Sequence, residues 1–154
     1  MSEVKNTLLL LLSNKKNEDI LLEFLENRYN ITTKNNFEDT IKSGNFDIVL
    51  IDSVLHQQYK EEIINIKQKS HPIFLPVLLL TTRKDIGVST SFLWKSIDEL
   101  IVIPINKVEL LARLSILERV RKQSIELFEL CNKINNLTKE KLNLALKAGK
   151  IGIW

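Results

Sequence analysis

Four apolar runs in this chain each lead into residues that can hydrogen-bond, carry charge or fix a turn. Ser13 and Asn14 follow Leu8 to Leu12, FDIVLID closes on Asp52, Thr81 follows LPVLLL, and IVIP ends on Ile103 and Pro104. Asp52 is the one carboxylate in that set. It can serve as an acceptor for chemistry or cap the loop that follows its strand. Thr81 can likewise bind an incoming group or satisfy a backbone group at its strand end. His56 and His71 stand far apart without ligand spacing and read as surface histidines, so no metal is expected from them. Phosphate-cradling loops are excluded, because none of the glycines Gly44, Gly87, Gly149 and Gly152 stand in a nucleotide-binding spacing.

The elements that must position these residues come from the hydropathy pattern. Thr7 to Leu12, Phe46 to Ile51, Pro76 to Leu80 and Leu100 to Ile103 read as strands, with a weaker one at Ile31 to Thr33. Continuous apolar runs imply burial on both faces, as in a parallel sheet covered by helices. Between them, Asn17 is placed to cap a helix with Glu18 and Asp19 in its first turn and Ile20, Leu21, Phe24 and Leu25 as its apolar stripe. Phe37 and Ile41 mark a second helix closed by Gly44. Tyr59, Ile63, Ile64 and Ile66 mark a third, ended before His71 and Pro72. A fourth is expected between Asp85 and Ser96, where Phe92 and Trp94 are either core or an exposed contact patch. Alternation of strand and helix implies a five-stranded parallel, doubly wound α/β sheet. In such a sheet ligands sit at the carboxyl ends of the strands, so Ser13, Asn14, Asp52, Thr81, Ile103 and Pro104 should converge on one crevice.

Composition sets the outer limits. The 154 residues, 44% hydrophobic and 27% charged, suit one compact domain with an appendage. Lys and Arg number 22 against 19 Asp and Glu, a formal +3 spread along the chain, so no clustered nucleic-acid footprint is expected. The single cysteine, Cys131, forbids an internal disulfide and fits a reducing compartment. The Leu8 to Leu12 run stops well short of the roughly 20 residues of a membrane span. With no signal-peptide pattern, the expectation is a cytoplasmic chain without a membrane segment.

Beyond Pro104 the pattern changes. From Lys107 to about Ala148 there is neither proline nor glycine, which allows one helix of roughly forty residues, ~60 Å long. Val108, Leu110, Leu111 and Leu114 should pack on the sheet. A heptad frame follows, with Val120, Leu127 and Ile134 at a and Ile116, Leu130, Leu137 and Leu144 at d, interrupted by Gln123 and Lys141. Cys131 falls at e as a small apolar filler. Val120, Leu127, Leu130, Ile134 and Leu137 are the expected dimer interface, and β-branched a positions with leucine at d favour a parallel pair.

The segment Thr7 to Arg119, through FDIVLID, LPVLLLTTRKD and IVIPINKVELLARL, resembles the receiver domain of two-component response regulators, a flavodoxin-like fold. The resemblance implies a histidine kinase that passes a phosphoryl group to an aspartate, here Asp52, with Mg²⁺ held by it and by an acidic pair after the first strand. It also implies a hydroxyl at Thr81, a lysine before Pro104, and a partner surface formed by the fourth and fifth helices and fifth strand. In this chain the acidic pair falls on Ser13 and Asn14, and the lysine falls on Ile103. Mg²⁺ prefers charged oxygen ligands, and an isoleucine cannot donate to a phosphoryl oxygen. Such a site is expected to be a pseudo-receiver, not phosphorylated and without cofactor. The alternative is a working phospho-acceptor at Asp52 that uses Mg²⁺.

LNLALKAGKIGIW, from Leu142 to Trp154, resembles the lead-in to a PAS sensor domain. The expected organisation is a receiver-like domain over 1–119, a coiled-coil linker helix over 120–147 and the start of a downstream domain over 148–154. That places the chain at the front of a multi-domain sensor protein such as a histidine kinase, non-enzymatic itself, with a homodimer and the downstream sensor or kinase domains as its partners.

Overall fold

The computed structural model describes residues 5–44, 46–84, 87 and 95–149. Five strands, β1 Asn6–Leu11, β2 Tyr29–Thr33, β3 Ile48–Asp52, β4 Val77–Thr81 and β5 Glu99–Val102, form one sheet in the order β2-β1-β3-β4-β5. Every neighbouring pair is parallel. The helices are α1 Lys15–Leu25, α2 Phe37–Ser43, α3 Ser53–Ser70 and α4 Lys107–Gly149. Most of the helix expected between Asp85 and Ser96, Phe92 and Trp94 included, lies outside the described residues, as do residues 150–154 of the PAS-like segment.

Side-chain alternation along each strand divides the interior in two. Leu8, Leu10, Ile48, Leu50, Leu78, Leu80 and Ile101 face α1 and α4, meeting Leu21, Leu25, Leu110, Leu114 and Leu117. Leu9, Leu11, Val49, Ile51, Val77 and Leu79 face the other way, meeting Leu55, Ile63 and Ile66 of α3. Continuous apolar runs are therefore required, because each strand is covered on both faces. Gly44 ends α2 at φ +67°, a left-handed conformation that glycine adopts without a Cβ clash.

Three details differ from the sequence reading. Asn14, not Asn17, caps α1: its side chain accepts the Asn17 amide at 3.1 Å, so the helix starts at Lys15. The buried stripe of α1 is then Glu18, Leu21 and Leu25, while Ile20 is 46% exposed. Val108 is 76% exposed, because the first turn of α4 turns it outward while Leu110 and Leu114 pack on the sheet.

His56 is also not a surface residue. It is buried in α3, with Nε2 2.7 Å from the buried Ser96 Oγ just before β5. Burial, then the charge of Lys60, hold the imidazole below its usual pKa. The neutral ring is favoured in the fold, whereas the unfolded chain takes up a proton near pH ~6.5. This contribution to stability is complete above that pH and is lost as the pH falls below it. The urea midpoint is expected to fall more steeply between pH 7.5 and 5.5 in the native chain than in His56→Gln; equal slopes would contradict this account.

α4 leaves the carboxyl end of β5 and runs back along the sheet to the amino ends of the strands. There it is clasped. The Tyr29 hydroxyl donates to Glu118, while Arg121 donates to Asp47 Oδ1 at 3.1 Å and to the Phe74 carbonyl at 3.0 Å. The Phe74 amide donates to Ser124 Oγ at 2.9 Å. Asp47 also accepts the Thr7 amide, so one carboxylate ties β1, β3 and α4 together. These bonds carry the docked part of α4 to Ser124, a turn past Arg119. Beyond them, Leu127, Leu130, Ile134, Leu137 and Leu144 are exposed, as are Ile116 and Val120 within the docked stretch.

Candidate functional site

Parallel strands end side by side, and the sheet order brings the ends of β1, β3, β4 and β5 into one row. Asp52, the last residue of β3, is also the N-cap of α3, because the helix begins at Ser53 without an intervening loop. Its Oδ1 accepts the Leu55 amide at 2.9 Å. Its Oδ2 accepts the Ser13 amide at 2.7 Å and the Ser13 hydroxyl at 2.5 Å. Both carboxylate oxygens are thus occupied by donors of the chain itself, and Asp52 ties the end of β1 to the start of α3.

The other expected residues are placed as follows. Ser13 and Asn14 are both exposed, the first bonded to Asp52 and the second capping α1. Thr81 is buried at the end of β4, with its hydroxyl 3.4 Å from the Thr82 carbonyl. The Ile103 amide donates to the Thr81 carbonyl at 2.8 Å, and a cis peptide joins Ile103 to the exposed Pro104. Ile103 and Pro104 line an apolar recess of about 210 Å³ with Asn17, Ile20, Leu21 and Ile105. The structure thus brings Ser13 onto Asp52, whereas Ile103 faces α1.

Among the described residues no group of three or more His, Cys, Asp or Glu side chains can hold a metal ion. The donor chemistry agrees. Ser13 and Asn14 bring neutral oxygens, and Asp52 brings a carboxylate already engaged by three donors, a set that does not fit Mg²⁺.

Glu18, expected only as an acidic residue in the first turn of α1, lies inside the fold. It is only 2% exposed, with Oε1 3.4 Å from Lys15 Nζ and Oε2 without a hydrogen-bond partner. Its spacing from Leu21 and Leu25 was the available signal. Asp19 and then Glu18 hold the Lys15 ammonium above its usual pKa. An unsatisfied buried carboxylate oxygen costs about 1–3 kcal/mol. Glu18→Leu is expected to raise the thermal midpoint by several degrees; a lower midpoint would show that the carboxylate is stabilising.

No family model matches the chain, and no curated protein matches it. Solved structures do. The crystal structure of NtrX from Brucella abortus in complex with ADP is similar at TM-score 0.70 and 17% identity, over 82% of this chain and 29% of that one. A response regulator receiver modulated diguanylate cyclase from Pelobacter carbinolicus is similar at TM-score 0.62 and 18% identity, over 80% of this chain and 99% of that one. A fusion carrying amino acids 181–211 of the yeast Spc42 trimeric coiled coil is similar at TM-score 0.65 and 18% identity, over 91% of this chain and 99% of that one. The chain therefore has the receiver fold, and it spans less than a third of the NtrX chain.

Proposed function

We propose that this chain is a receiver-like regulatory and dimerisation module of two-component signalling whose Asp52 is not phosphorylated. The observation that carries the reading is the engagement of both Asp52 oxygens by Ser13 and Leu55, beside positions where Asn14 and Ile103 supply neither charge nor a lysine. Phosphoryl transfer to a carboxylate needs a free oxygen and cations to neutralise the developing charge. The module catalyses no reaction. It works in the cytoplasm as the front of a longer sensor protein, whose downstream PAS-like domain begins near Gly149. A second copy pairs along the exposed stripe of α4, and no nucleic acid or membrane is engaged. The second reading, a working phospho-acceptor, rests on Asp52 standing at the end of β3, where the receiver resemblance puts the acceptor.

Incubation with acetyl phosphate and millimolar Mg²⁺, followed by intact mass measurement, separates the two. The expected result is an unmodified chain. Ile103→Lys alone is expected to leave it unmodified, because the donor set around Asp52 stays neutral. An adduct on the native chain that disappears in Asp52→Asn would establish the second reading.

A further inference from the structure

We infer that the two copies pair antiparallel along residues 124–147 of α4, in the one register that sets Ile134 opposite Leu137 of the second copy. The inference rests on the dimer proposed above. Its evidence lies in the residues flanking the apolar stripe.

In the heptad frame the g positions read Glu126, Lys133, Glu140 and Lys147, alternating in sign, while the e positions Ser124, Cys131, Thr138 and Ala145 are all neutral. In a parallel pair each g residue faces the e residue five positions on in the other helix. Glu126 would then face Cys131, and Lys133 would face Thr138, so no charge would find a partner. The a positions add a conflict: Lys141 would face Lys141 of the second copy across the seam. The parallel preference itself rests on Val120 and Ile134 alone, since Leu127 and Lys141 occupy the other two a positions.

Antiparallel helices instead bring a opposite d, and g opposite g. With Ile134 opposite Leu137, the same register puts Leu127 opposite Leu144 and Lys141 opposite Leu130. It then sets Lys133 against Glu140 of the second copy, twice by symmetry, and position 126 against position 147, again opposite in sign. Sliding the pair by one heptad in either direction matches glutamate with glutamate and lysine with lysine. The alternation therefore selects one register and repels its neighbours. Glu126, Lys133 and Glu140 are exposed and, among the described residues, make no ion pair in the chain's own fold, so they are placed to do this.

The docking of α4 supplies an independent limit. The clasp of Arg121 and Ser124 to Asp47 and Phe74 holds the helix against its own body up to Ser124. The pairing segment begins where that clasp ends. It spans 24 residues, ~36 Å, and contains the exposed Leu127, Leu130, Ile134, Leu137 and Leu144. Such pairing delivers the end of one α4 to the clasp of the other copy, so each receiver body lies against the segment leading out of its partner.

Light scattering on the native chain tests the dimer itself; a monomer or a trimer overturns the inference. Orientation is then read by disulfide trapping in a Cys131→Ser background. Leu127→Cys chains mixed with Leu144→Cys chains should cross-link to each other, and Leu127→Cys alone should not. The reverse result, a parallel seam, overturns the antiparallel register while leaving the dimer intact. A second arm avoids the seam. Lys133→Glu should weaken dimerisation about tenfold, and Lys133→Glu with Glu140→Lys should restore it, because the swapped charges again face opposites. An unchanged dissociation constant in the single variant would also overturn the inference.

Discussion

Replacing Ile134 and Leu137 by aspartate is expected to convert the proposed dimer into a monomer whose globular body is unchanged. Both residues are exposed on the free part of α4, more than two turns beyond Ser124, which among the described residues is the last bonded to the body. Alone in water they help to leave a long apolar stripe unburied, alongside Leu127, Leu130 and Leu144. Burying a Leu or Ile side chain is worth about 1.5–3 kcal/mol, and the double change removes four such side chains from the seam of a dimer. It also places carboxylates across from each other in either helix orientation. Association should weaken by more than about a thousandfold. The body should keep its melting transition, since among the described residues the buried core on both faces of the sheet contains none beyond Leu117. A variant that stays dimeric in light scattering would place the main interface on the globular domain.

The sheet was legible because its strands are buried on both sides, so apolar type and strand position coincide from Leu8 to Leu11, Ile48 to Ile51 and Val77 to Leu80. The same habit of reading by type misplaced the polar residues that point inward. His56 precedes Tyr59, Ile63 and Ile66 at helical spacing, and Glu18 precedes Leu21 and Leu25 likewise, although by type the first reads as a surface histidine and the second only as a first-turn acid. In each case the period was the better guide. Val108 erred in the opposite sense: it is apolar, but it stands in the first turn of α4 and is turned away from the sheet. At the candidate site the sequence located Ser13, Asn14, Asp52, Thr81, Ile103 and Pro104 at strand ends. What it could not supply was the bond from Ser13 to Asp52, which joins residues 39 apart. The cap was within reach, since an aspartate directly before a helical run is an N-terminal signal.

Asp52→Ala is expected to cost about 2 kcal/mol of stability, a change larger than a carboxylate held free for chemistry would give. The cap of α3 alone accounts for about 1 kcal/mol, because the Leu55 amide loses the acceptor it has at 2.9 Å. The rest comes from Ser13, whose amide and hydroxyl both donate to Oδ2 and which would be left to water at an exposed position. Asp52→Asn should fall between, since an amide oxygen still caps a helix but its NH₂ group cannot accept from Ser13. Urea midpoints rank the three chains, and amide exchange shows where the loss falls: protection should drop at Leu55 and at Ser13 and remain unchanged in β3, whose amides are bonded within the sheet. A phosphoryl group on either oxygen would have to break the same bonds, so the cap and phosphorylation compete for one carboxylate. If Asp52→Ala loses no stability and Leu55 keeps its protection, the carboxylate is not holding α3, and the argument that its oxygens are already committed fails with it.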